Sequence, residues 1–169
     1  FDIGGTGNFS LEGFIFVNSD HSLASYSRFL SFGTYYNTSK SFGIMINDAA
    51  NSNHITVYAV SARILTSSID FPKDQWNHIV LCRTGNDLGL FLNGLRIAHD
   101  GSFTTSLNSG NTYLQIGQTD DSTTDGFIGE VRDVRFINGS HVYDASSGFL
   151  TVPSESLTAV TNTKFLIND

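Results

Sequence analysis

Cys82 and His78 stand four residues apart in "WNHIVLCR" (76–83), and a thiol near an imidazole is the raw material of nucleophilic catalysis. The spacing argues against it. Trp76, His78, Val80 and Cys82 alternate with Asn77, Ile79, Leu81 and Arg83, a period of two that predicts a strand. His78 and Cys82 then share a face but lie two steps apart, about 13 Å, beyond proton-transfer reach. Cys82 reads as a small core hydrophobe.

Paired carboxylates are the next possibility. Glycoside hydrolysis takes two carboxylates, an acid and a nucleophile or base, close together on one face. The chain has three Glu, at 12, 130 and 155, and no two share a strand. Glu130 and Asp133 in "EVRDVR" fall on opposite faces of a regular strand, and Arg132 and Arg135 read as their ion partners. Neither G-x-S-x-G nor H-E-x-x-H occurs. The expectation is no enzyme.

Two groups remain as candidate binding residues. "QTDDSTTDG" (118–126) gathers Asp120, Asp121 and Asp125 in a loop, and such oxygens could take calcium, the single cofactor suggested here. A solvated acidic turn is the competing reading. Among the aromatics, Tyr35, Tyr36 and Tyr58 are the candidate sugar-stacking platforms, provided their rings are exposed. The 14 Phe read as core.

The elements that must position these residues are strands. Ser, Thr, Asn and Gly punctuate short apolar runs, and ten are predicted: 8–17, 27–36, 41–47, 54–62, 76–83, 88–94, 95–100, 112–118, 130–137 and 163–168. "TGND" (84–87) and Asn93-Gly94 are hairpin turns, so 76–100 is a three-stranded meander. Short strands at this spacing imply an antiparallel sandwich.

Composition narrows the partners. Net charge is −7 over 169 residues, with three Lys and six Arg scattered, which opposes nucleic-acid binding. No apolar run is long enough for a membrane helix. One Cys precludes an internal disulfide. The sequons at Asn8, Asn37 and Asn138 read as chance in an Asn- and Ser-rich chain. A start at Phe1 suggests processing or a segment of a longer protein.

Four stretches carry a resemblance. "FDIGGTGNFSLEGFIF" is similar to F-[ST]-[IL]-E-x-[WF]. "DQWNHIVLCRTGNDLGLFLNGLRI" is similar to W-x-H-[VI]-[AV]-x-x-R followed by L-x-[LF]-[FY]-[VL]-[DN]-G. "YLQIGQ" is similar to L-x-I-G, and "GEVRDVRFINGSHVY" with "FLTVP" to a closing G-x-[IV]-x-[DE]-[VL]-R-[IF]-x-x-G-x-x-x-Y and F-x-x-P. In this order they resemble laminin-G-like, concanavalin A-like jelly-roll domains of the kind found in phage and virion structural proteins. Phe14 stands where Trp is common, and Asn93 where Asp is common.

The resemblance implies one all-β, antiparallel jelly-roll sandwich of two sheets over 1–169, with Trp76 in its core. It also implies a rim where calcium and glycans dock. The function expected is a non-catalytic binding or assembly module of a virion or surface structural protein, extracellular or on the virion. It would engage glycans or neighbouring subunits of a larger assembly, with no nucleic acid and no membrane as partner. The alternative is a carbohydrate-active enzyme domain of the glycoside hydrolase or lyase type.

Overall fold

Period-two patterning becomes eleven strands, and no helix occurs among the described residues. The computed structural model describes residues 5–19, 27–32, 42–46, 53–59, 62–107, 114–117, 126 and 128–168. The strands are β1 (Phe9–Val17), β2 (Arg28–Phe32), β3 (Phe42–Met45), β4 (His54–Ala59), β5 (Ala62–Asp70), β6 (Trp76–Thr84), β7 (Asp87–Leu92), β8 (Leu95–Asp100), β9 (Leu114–Ile116), β10 (Gly129–Asn138) and β11 (Thr163–Ile167). They form two antiparallel sheets, each within its own compact unit.

The first unit holds the five-stranded sheet, ordered β5-β4-β3-β2-β9. Its buried set is Phe29, Leu30, Phe32, Phe42, Ile44, Met45, Ile55, Val57 and Tyr58. The sequence reading misses β5. This strand is Ser- and Thr-rich, pairs on one side only, and buries just Leu65 and Ser67, so it has no apolar alternation to betray it.

The second unit holds the six-stranded sheet, ordered β11-β10-β1-β6-β7-β8. Register sorts its two faces. Leu11 opposite Leu81, Leu81 opposite Leu90 and Ile79 opposite Leu92 give one face an aliphatic centre, with Phe9 and Arg83 toward one end and Asn77 toward the other. The other face carries Ser10, Glu12, Phe14 and Phe16 beside Cys82, Val80, His78 and Trp76. Over that second face runs an irregular segment, 142–157, which explains why β6 is buried on both sides. Val80, Cys82 and Phe91 pack on Ala145, with Tyr143 and Leu150 alongside. Backbone and side chains sew the segment down: Leu150 N donates to Gly94 O at 2.9 Å, Ala145 N to Thr84 Oγ1 at 3.2 Å and Val142 N to Ser10 Oγ at 3.1 Å.

The β7–β8 turn is the expected one. Asn93 has φ 50° and Gly94 φ 84°, the left-handed pair of a tight hairpin. Asn93 explains its own amide: Oδ1 accepts from His78 N at 2.8 Å and Nδ2 donates to Asn77 Oδ1 at 2.9 Å, a donor that Asp would lack. Gly94 must also be small, because a Cβ there would sit 2.7 Å from the Leu150 carbonyl oxygen. Gly94→Val should therefore cost at least roughly 1–3 kcal/mol from strain. Urea unfolding would show it, and an unchanged midpoint would contradict the turn.

Candidate functional site

Cys82 and His78 do share a strand face, and they do not meet: His78 pairs with Phe14 and Cys82 with Ser10 in the β1–β6 register. Cys82 is fully buried beside Val80, Phe91 and Ala145. Burial, helped by the negative charges of Asp144 and Glu12, pushes its thiol up to about 12. It is no nucleophile at neutral pH.

His78 meets Glu12 instead. Glu12 lies at the middle of β1, 0 % exposed. Its Oε2 accepts from His78 Nε2 at 3.1 Å and from the Tyr143 hydroxyl at 2.7 Å. Its Oε1 accepts from Arg135 Nε at 2.9 Å and Nη2 at 2.6 Å. An ionised carboxylate only accepts, so the His78 proton that faces it is on Nε2. Burial is the strongest single influence on Glu12 and favours the neutral acid. The bonds from His78, Tyr143 and Arg135, with the Arg135 charge, together outweigh it and hold the carboxyl below its ordinary range. Burial, and then the Glu12 charge, push the Tyr143 hydroxyl well up, so it stays a donor. Four donors occupy the four lone-pair sites of Glu12, and no solvent reaches it. Such a carboxylate can neither take nor give a substrate proton.

The sequence reading assigns Arg135 to Glu130 or Asp133; the structure corrects this to Glu12. The cluster draws on three of the resemblance stretches: Glu12 from "NFSLEGF", His78 from "WNH", and Arg135 with Tyr143 from "GEVRDVRFINGSHVY". Nothing in linear spacing joins them.

Trp76 is a second correction. It is only partly buried, at the end of β6 on the face opposite the aliphatic one, edge-on to Phe16 at 5.9 Å between centroids. Its place in the core is taken by Ile79 and Leu81, one strand face over. Arg132, expected to pair with Glu130 or Asp133, lies over the Trp76 ring at 4.4 Å and near Phe14 at 5.4 Å. A partly desolvated stack of this kind contributes about 0.5–2 kcal/mol. Beside it a groove of about 210 Å³ is lined by Phe14, Arg132, Asp133, Pro153, Ser154, Glu155 and Ser156. Asp133 has φ 50°, so β10 is not regular there, and the alternation that would separate its side chain from that of Arg132 is broken.

Of the sugar-stacking candidates, Tyr58 is 7 % exposed, and its hydroxyl accepts from Arg63 Nη2 at 2.9 Å and Nε at 3.2 Å. The condition of an exposed ring is not met there. Tyr35 and Tyr36 lie outside the described residues, as do Asp120, Asp121 and Asp125. Among the described residues no three His, Cys, Asp or Glu side chains are placed to hold a metal ion, and Asp87 bonds His99 at 2.7 Å. No helix among them is long and apolar enough to cross a membrane.

A laminin G family model described as the concanavalin A-like lectin/glucanases superfamily matches residues 2–141. The all-β jelly-roll class follows from that match and from the two antiparallel sheets. Three solved structures share the fold. A Bacteroides ovatus protein proposed to bind carbohydrate superposes with TM-score 0.64 at 16% identity, over 86% of this chain and 44% of that one. Domain 4 of the extracellular arabinanase AbnA from Geobacillus stearothermophilus, solved with arabinotriose, gives 0.60 at 12% identity, over 80% and 63%. The enzymatically active domain of tailspike protein 2 from bacteriophage CBA120 gives 0.53 at 17% identity, over 81% and 23%. The chain thus spans less than two thirds of each. No curated protein matches it in sequence.

Proposed function

We propose that this chain, which belongs to the concanavalin A-like lectin/glucanases superfamily, is a non-catalytic glycan-binding module of a larger virion or surface structural protein. The observation that carries the non-catalytic half is the sealed state of Glu12. Glu12, the most deeply buried carboxylate among the described residues, has every lone pair occupied and no exposure. Glu130 and Glu155 are exposed, and neither shares a strand with another Glu. The binding half draws support from the likeness to a domain solved with arabinotriose and to a protein proposed to bind carbohydrate. Extracellular or virion-surface placement draws on the arabinanase and tailspike likenesses.

Neighbouring subunits remain part of the reading. Phe149 is 73% exposed and sits opposite Leu95 in a bridge, itself 45% exposed, an apolar patch suited to contact with another chain. Asp120, Asp121 and Asp125 are the proposed calcium ligands, and Tyr35 and Tyr36 the proposed accessory sugar contacts.

The test is retention on an oligosaccharide array, run with calcium and with chelator, beside a product-release assay on the same sugars. Retention without turnover is the expected result, and chelator should weaken it if the three Asp hold calcium. Reproducible product release that is lost in Glu130→Gln would establish the enzyme alternative instead.

A further inference from the structure

We infer that the groove lined by Arg132, Asp133 and residues 153–156 binds one neutral sugar residue, with Arg132 donating to its hydroxyls and Glu155 accepting from them. This rests on the glycan-binding reading above and gives it a place.

The first observation is the state of Arg132. Its guanidinium is held over Trp76 and Phe14, yet it makes no hydrogen bond to any described residue, and its Nε is buried without a partner. Every other Arg bond resolved in the six-stranded unit ends on an acceptor: Arg83 on carbonyls, Arg96 on carbonyls, Arg135 on Glu12 and a carbonyl. Stacking uses the face of the guanidinium and leaves the in-plane N–H groups to seek acceptors. A partly buried, oriented cation with idle donors is poised for a ligand.

The second observation is the backbone. Asp133 holds φ 50°, a left-handed conformation that non-glycine residues adopt at a cost. The consequence is that two successive residues, 132 and 133, both line the groove. Asp133 is anchored there by Leu157 N, which donates to its Oδ1 at 3.0 Å, so the segment forming the far wall is tied to the same residue.

The third is the chemistry of the lining. The lining brings together one Arg, one Asp, one Glu and two Ser. This surplus of negative charge disfavours an acidic ligand. Sugar hydroxyls each donate and accept, and so match a wall of mixed donors and acceptors. At about 210 Å³ the groove falls below the ~300–1,000 Å³ of drug-sized sites and suits a single ring rather than a chain.

The chain has one Trp, and it lies beneath Arg132, so its emission reports occupancy directly. The probes are arrayed neutral arabino-, xylo-, gluco- and galacto-oligosaccharides with galacturonate- and sialate-bearing ones, followed by titration of a retained neutral sugar against Trp76 fluorescence. A saturable change in emission is expected. Glu155→Gln, at an exposed position, should weaken binding about tenfold or more with no change in melting temperature. Arg132→Lys should also weaken binding, because an ammonium cannot reproduce the planar fork. A retained neutral sugar that leaves the emission unmoved, and binds both variants as well as the parent, overturns the groove while the glycan-binding reading stands. Retention of acidic sugars alone overturns the ligand class. An array that holds nothing overturns both.

Discussion

Glu12→Gln should destabilise the fold by roughly 3–5 kcal/mol, the cost of leaving a buried charge without its partner. The substitution keeps shape and removes charge. Arg135, almost fully buried, would keep one carbonyl bond, from Nη1 to Thr158 O at 2.8 Å, and lose its counterion. The new amide would also turn a donor toward the Tyr143 hydroxyl or His78 Nε2, which are donors to Glu12 now. The sign of the pH dependence follows from the depressed carboxyl. Its contribution is fully present above the ordinary Glu value of 4.5 and is lost as pH falls through the lower folded value. The gap between parent and variant should therefore be widest near neutral pH and narrow in acid. Because the variant could fail to fold, Glu12→Leu combined with Arg135→Met is the companion: removing both charges should recover part of the loss. Urea unfolding at pH 7 and pH 3.5 reads all three. A Glu12→Gln variant within about 1 kcal/mol of the parent would overturn the structural reading of this cluster.

Arg83→Met should cost roughly 2–4 kcal/mol, although no carboxylate among the described residues touches Arg83. The side chain is 1% exposed. Nε donates to Gly85 O at 2.9 Å, Nη2 to Phe103 O at 2.9 Å, and Nη1 to Thr105 O at 2.9 Å and Gly5 O at 3.4 Å. Its carbon lies 5.0 Å from the Phe103 ring centroid. Burial lowers its pKa, and among the described residues carbonyl dipoles compensate the charge. Met fills the volume but leaves four carbonyls from three chain segments without this donor. Arg83→Lys should recover little, because one ammonium cannot reach carbonyls spread over Gly85, Phe103 and Thr105. Full stability in Arg83→Lys would show that charge, not the fork, is what the site requires.

Strand identity and facing were legible in the chain because they are local. In 76–100, period two separated Ile79 and Leu81 from His78, Val80 and Cys82, and Leu88, Leu90 and Leu92 from Phe91; the β6–β7 register then puts Ile79 and Leu81 opposite Leu92 and Leu90. Asn93-Gly94 declared its turn because few residues accept positive φ. Failure at β5 has the same root: an edge strand with one thin buried stripe has no period to read. Trp76 was misplaced for a different reason. Alternation gives its face correctly but cannot say which face is core when a second layer, the 142–157 segment, covers the other.

The site was the least legible part. The sequence by itself determined an all-β chain, its turns and its lack of paired Glu on any strand. Only tertiary structure decided that Glu12, His78, Arg135 and Tyr143 form one sealed cluster, and that Arg132 is left with idle donors over Trp76. The separations explain it: Glu12 and Arg135 stand 123 residues apart, and Glu12 and Tyr143 131. A strand's pattern records whether a position is apolar, not which distant side chain shares its face. The pairing of β1 with β6, and its place beside β10, decides that. Likewise, the mild tolerance of Asp for positive φ does not single out Asp133; its anchor to Leu157, 24 residues on, exists only once the chain has folded back.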